Sequence, residues 1–126
     1  MVVPVGSSPS RSILVVEDNA GIREALRDIL TLEGYGVAEA ENGRVALDRL
    51  LGSPAPSLII LDLVMPEMSG IEFLWAARRH VKERNVPIVV VSAVRGPCWA
   101  EALAHRTFGK PFDVDLLLGT VAELVQ

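Results

Sequence analysis

Residues 57–73 read SLIILDLVMPEMSGIEF. Leu58, Ile59, Ile60 and Leu61 form a continuous apolar run without alternation, the pattern of a strand buried on both faces. Asp62 breaks the run with a carboxylate, Leu63, Val64 and Met65 resume it, and Pro66 stops it. Ser69 and Glu72 then have capping-box spacing and open a helix with Ile71, Leu74 and Ala77 turned inward. A short apolar strand followed by an amphipathic helix is the alternation that continues along the rest of the chain.

Outward from that stretch, Ser12–Val16 (SILVV) reads as another buried strand. Asn19 is a good N-cap, and Ile22, Leu26, Ile29 and Leu30 make one face of the helix it opens. Gly34 follows where a C-terminal glycine belongs. Residues 37–40 form a short strand. Asn42 caps a second helix bearing Ala46, Leu47, Leu50 and Leu51, which Gly52, Pro54 and Pro56 end. Residues 88–91 are a β-branched strand. Pro97 suits the first turn of a helix over residues 97–105. Residues 107–108 form a brief fifth strand, and Asp113 caps a last helix running through Leu116, Leu117, Val121 and Leu124.

Five strands alternating with five helices predict an α/β fold with a parallel sheet covered on both faces and right-handed crossovers. In such a sheet the ligand site lies at the carboxyl ends of the strands. The chain has 126 residues, enough for a single domain. Half of them are hydrophobic, and no apolar run is long enough to span a bilayer. The opening MVVPVGSSPSRS lacks the charged start and long apolar centre of a signal peptide. Residues 1–10 are expected to be a flexible tail and residues 11–126 the domain. Cys98 is the one cysteine, which excludes an internal disulfide and fits a reducing, cytoplasmic setting. Twelve basic against sixteen acidic residues, net charge −4, argue against direct nucleic-acid binding. The locally basic residues 78–84 (RRHVKER) read as the solvated end of a helix.

The strand ends carry the chemistry. The first is followed by Glu17 and Asp18, the third by Asp62, the fourth closes with Ser92, and the loop after the fifth carries Lys110. Singly each is an ordinary cap, turn or surface residue. Together, in a parallel sheet, they gather three carboxylates, a hydroxyl and an ammonium at one edge. Several like charges there repel one another unless a cation joins them. The donors are all oxygens, which favours Mg²⁺ or Mn²⁺ over zinc. Mg²⁺ on one or two carboxylates typically serves phosphate chemistry, and an aspartate beside it can act as nucleophile and form an aspartyl phosphate. Lys110 and Ser92 would stabilise the phosphoryl oxygens.

At this point the sequence resembles the receiver domains of two-component response regulators, over roughly residues 11–126. The resemblance rests on VVEDN (Val15 to Asn19), LDLVMPEMSG (Leu61 to Gly70), VSA (Val91 to Ala93) and KPF (Lys110 to Phe112). It implies a flavodoxin-like, doubly wound five-stranded sheet in order 2-1-3-4-5. It also implies that Asp62 accepts a phosphoryl group from a histidine kinase or phosphotransfer protein. Asp18 would hold Mg²⁺ directly and Glu17 largely through water, together with Asp62 and the carbonyl of Val64. Lys110 would pair with the phosphoryl group, and Ser92 would move inward on phosphorylation. Met65, Pro66 and Gly70 would shape the loop beside the nucleophile, and the Lys110–Pro111 peptide would be cis. Such a module is a switch for partner binding, and the only reactions it catalyses are its own phosphorylation and dephosphorylation.

The chain departs from the family pattern in its switch region, Ser92, Thr107 and Phe108. An aromatic residue usually stands three positions before the lysine, and here that position is Thr107. Leu103-Ala104 replaces the usual Gly-Ala, and the segment from Ser92 to Lys110 is shorter by about one helical turn, ~4 residues. These departures predict a shortened fourth helix of about two to three turns, with Trp99 and Leu103 packing where a longer helix would lie or offering an apolar contact. A dehalogenase-like phosphatase would need a second aspartate where Val64 stands. A pseudo-receiver, binding a partner without phosphorylation, remains as the alternative. The chain ends at its fifth helix, so no output domain is expected within it.

Overall fold

The computed structural model describes residues 11–52, 54–65 and 67–125, so the expected tail and Pro66 lie outside the described residues. The elements run β1 (Ser12–Val16), α1 (Ala20–Leu32), β2 (Gly36–Ala40), α2 (Gly43–Leu51), β3 (Leu58–Leu61), α3 (Gly70–Glu83), β4 (Ile88–Ser92), α4 (Cys98–Leu103), β5 (Arg106–Gly109) and α5 (Val114–Leu124). The sheet is entirely parallel, in order β2-β1-β3-β4-β5.

Strand alternation divides the core into two layers. Leu14, Val16, Ile59, Leu61, Ile88 and Val90 pack with Leu50, Phe73, Leu74 and Ala100 from α2, α3 and α4. The intervening residues Ile13, Val15, Leu58, Ile60, Val89 and Val91 pack with Leu26 and Leu30 of α1 and Leu117 and Val121 of α5. Burying an aliphatic side chain fully contributes about 1.5–3 kcal/mol. A one-residue slip of any central strand would move its residues to the other layer, so the register is strongly specified.

The caps form where the sequence places them. Asn19, Asn42 and Asp113 accept from the amides of Ile22, Val45 and Leu116, and Ser69 and Glu72 complete a capping box. Gly34 sits at φ +95°, closing α1 as a left-handed glycine.

The structure corrects several details. The fourth helix is six residues, Cys98–Leu103, below the two to three turns expected, and Pro97 is its N-cap rather than a member of its first turn. The chain has to leave the helix at Ala104 because His105 already belongs to the sheet edge. Its amide donates to the Ile88 carbonyl at 2.7 Å, and its Nδ1 accepts from the Ile88 amide at 3.3 Å. Leu51 and Leu116 are outward, 46% and 63% exposed, because their neighbours Leu50 and Leu117 take the inward positions. Strand β2 begins one residue earlier than expected, and β5 extends one residue beyond its expected limit at each end. Trp99 and Leu103 do pack against the α2–α4 layer. Trp99 meets Trp75 of α3 edge to face, ring centroids 5.3 Å apart.

Candidate functional site

Hydrogen bonding continues past the strand ends and sets the site's register. The Glu17 amide donates to Ala40, that of Asp62 to Val16, and that of Lys110 to Ser92, at 3.0, 3.0 and 3.1 Å. Glu17, Asp62 and Lys110 each stand one strand period beyond an inward residue of the α1/α5 layer: Val15, Ile60 and Phe108. All three side chains therefore arrive on the same side of the sheet edge.

There they meet. Lys110 Nζ donates to Glu17 Oε1 at 2.7 Å and to Asp62 Oδ2 at 3.3 Å. Carboxylate oxygens of Glu17, Asp18 and Asp62 lie within 4.8 Å of one another, with Glu17 and Asp62 buried and Asp18 exposed. The Asn19 amide donates to the other oxygen of Glu17 at 3.1 Å, and the Val64 amide makes a long 3.4 Å contact with Asp62 Oδ1.

Burial raises the Glu17 carboxyl above its ordinary value. The hydrogen bonds from Lys110 and Asn19 pull it back, and the charge of Asp62 pushes it up again. For Lys110, burial acts downward, but the bond to Glu17 and the charges of Glu17 and Asp62 outweigh it, so its ammonium is held above the ordinary lysine value. One lysine among three acids leaves excess negative charge at the edge.

A divalent cation fits that excess. The donors are oxygens only, as Mg²⁺ or Mn²⁺ requires. Mg²⁺ holds oxygens at ~2.1 Å, so oxygens on opposite sides of it are ~4.2 Å apart. A 4.8 Å span therefore suits two direct carboxylates and a third reached through water.

Gly70 makes the position of Asp62 possible. A Cβ on Gly70 would lie 2.0 Å from the Asp62 carbonyl oxygen. Its amide donates to Leu63 at 3.1 Å, drawing the start of α3 onto the residue after Asp62. Gly43 anchors the same loop from α2, where a Cβ would stand 2.6 Å from the Met68 carbonyl oxygen.

Ser92 is buried at the end of β4, and its Oγ accepts from the Val94 amide at 3.3 Å. Thr107 lies beside Val90 and, with Leu63, Gly96 and Ala100, lines a small apolar hollow under α4. Phe108 points to the opposite layer and packs with the α1/α5 core. Lys110–Pro111 is cis.

Sequence reasoning missed Arg23, on α1. Its Nη1 donates to the Glu17 carbonyl at 2.8 Å, and its Nε donates to Glu39 at 3.1 Å. The available signal was a cation close to a helix N-terminus, where the helix dipole disfavours it.

A family model described as response regulator receiver domain matches residues 13–122. Sporulation initiation phosphotransferase F of Bacillus subtilis (strain 168) is 36% identical over 112 residues, covering 84% of this chain and 86% of that protein. The phosphate regulon transcriptional regulatory protein PhoB of Escherichia coli (strain K12) is 40% identical over 124 residues, 93% of this chain, which spans 52% of PhoB's length. Among solved structures, response regulator protein TrrA of Thermotoga maritima in complex with Mg²⁺-BeF superimposes with a TM-score of 0.79 at 34% identity, covering 90% of this chain and 98% of that one. Among the described residues, no helix is long and apolar enough to cross a membrane.

Proposed function

The chain belongs to the response regulator receiver domain family, a family of signalling modules, and from that premise we propose that it is the phosphoacceptor of a two-component phosphorelay. Asp62 is the acceptor, and the donor is the phosphohistidine of a histidine kinase or a phosphotransfer protein in the cytoplasm. The observation that carries the reading is the convergence of Asp62 with Glu17, Asp18 and Lys110 at the carboxyl edge of the sheet.

An oxygen of Asp62 forms a bond to phosphorus while the P–N bond of the phosphohistidine breaks, and the electron pair leaves with the imidazole nitrogen. In the reverse direction of signalling, water attacks the aspartyl phosphate, releasing orthophosphate and restoring the carboxylate. Asp18, Asp62 and the Val64 carbonyl would hold Mg²⁺ (or Mn²⁺), with Glu17 acting through water, and the ion would supply positive charge to the phosphoryl oxygens. Lys110 supplies a second positive charge by moving its hydrogen bond from carboxylate to phosphoryl oxygen. Ser92 donates its hydroxyl to that group, and its movement passes to the loop leading into α4. The acidic balance of the chain directs the output to a protein partner rather than to nucleic acid.

Incubation with acetyl phosphate and Mg²⁺ tests the reading, with intact mass as readout. One phosphoryl group is expected on the parent and none on Asp62→Asn. A variant that still takes one group, mapped to another residue, overturns the assignment. Thr107 in place of a ring and the six-residue α4 favour the alternative of a phosphorylation-independent binding module. A parent that takes neither phosphoryl nor beryllofluoride would decide for that alternative.

A further inference from the structure

We propose that Arg23 is a positioning residue for the acid site: its guanidinium ties the backbone of Glu17 and Asp18 to strand β2 so that both carboxylates meet Asp62. The inference rests on reading that cluster as a Mg²⁺-dependent phosphoacceptor site.

Two of the three acids stand in the short connection between β1 and α1, outside regular structure. Arg23 reaches back over that connection. Its Nη1 donates to the Glu17 carbonyl at 2.8 Å and approaches the Asp18 carbonyl at 3.5 Å. Its Nε forms an ion pair with Glu39 Oε1 at 3.1 Å, and the arginine side chain is only 17% exposed. Glu39 is fixed in β2, paired in register with Val15 of β1. One planar group therefore joins the acid-bearing loop, helix α1 and the neighbouring strand.

Helix formation does not account for this arginine. Asn19 already caps α1 by accepting from Ile22. A cation close to a helix N-terminus opposes the macrodipole. What the guanidinium gains is a partially buried acid on one edge and backbone carbonyls on another, a division of donors that a lysine ammonium cannot reproduce. Arg27 provides an internal comparison. It bonds the other oxygen of Glu39 at 3.2 Å, is 40% exposed, and its guanidinium bonds Glu39 and Asp28 rather than the acid loop.

The test measures Mg²⁺ affinity by calorimetry on the folded full chain, beside beryllofluoride binding and melting without metal. Arg23→Gln is expected to weaken Mg²⁺ binding by roughly tenfold, the scale of losing a group that orients metal ligands. Arg23→Lys should recover part of the loss, and Arg27→Gln should bind as the parent does. Glu39→Gln should weaken binding in the same direction but less, since Arg23 keeps its carbonyl bonds. A parent that binds no Mg²⁺ sinks the site reading, and this inference with it. A parent that binds while Arg23→Gln binds equally well overturns the inference alone. Should Arg23→Gln fail to fold, Glu39→Gln decides, and parental affinity there overturns the proposal.

Discussion

Glu17 and Lys110 are joined by a 2.7 Å ion pair, shorter than the 3.3 Å from the same Nζ to Asp62, and the Glu17 side chain is only 4% exposed. In this state the ammonium neutralises the flanking acid first. Lys110→Met would leave a buried carboxylate beside Asp62 without its cation. The variant is expected to lose about 1–3 kcal/mol in urea unfolding without metal, the cost of an unpaired buried group. Unfolding that matches the parent would contradict the pairing.

The raised Glu17 carboxyl has a defined consequence for pH. Its proton is held more tightly in the folded state than in the unfolded one. The resulting stability is complete below the ordinary carboxylate range and is lost as pH rises through the raised folded value. Metal-free protein is therefore expected to lose this contribution as pH rises from the ordinary carboxylate range through the raised folded value. Denaturation at a series of pH values isolates it as the difference between the parent and Glu17→Gln. A difference that moves in the parent's favour as pH rises would refute the assignment.

Mg²⁺ is expected to raise the melting temperature at low ionic strength. A ligand bound by the folded state alone, at 100 times its Kd, stabilises by about 2.7 kcal/mol. Asp18→Asn should stabilise the metal-free protein by relieving repulsion within the cluster while weakening the response to Mg²⁺. Scanning calorimetry in EDTA and in millimolar Mg²⁺ provides the comparison. Indifference of the parent to the ion counts against a metal site.

Gly70→Ala places a methyl 2.0 Å from the Asp62 carbonyl oxygen and 2.7 Å from Leu63 Cα, both backbone atoms that cannot rotate away. The expected cost is about 1–3 kcal/mol of overpacking, with slower phosphorylation because Asp62 must shift. Parental stability together with a parental rate would show that the loop gives way freely.

Thr107 and Phe108 lie on opposite faces of the sheet, so Phe108 cannot take a ring's place under α4 without a one-residue slip of β5. The response to beryllofluoride and Mg²⁺ is expected at the Trp75–Trp99 contact, which bridges α3 and α4. Tryptophan fluorescence should change in the parent and lose that change in Trp99→Phe, while the NMR shifts of the Phe108 ring stay nearly constant. A large buried-to-exposed change at Phe108 would overturn this account.

What the sequence determined by itself was local. Apolar runs marked the strands, and Asn19, Asn42, Ser69 with Glu72, and Asp113 marked the helix starts, because a cap acts over three residues of chain. The same reasoning put Glu17, Asp18, Asp62, Ser92 and Lys110 at strand ends, and the family resemblance supplied the strand order that brings them to one edge. Tertiary structure decided how those groups pair. Lys110 lies closer to Glu17 than to Asp62, Ser92 bonds its own loop, and Arg23 reaches Glu39 sixteen residues away. It also decided that α4 stops at Leu103, because His105 is claimed by Ile88 across the sheet, and that Leu51 and Leu116 face outward. Caps and periodicities are properties of a few adjacent residues. Partner choice depends on the register of strands distant in sequence and on which of two neighbouring leucines meets the core, and both are settled only when the layers pack.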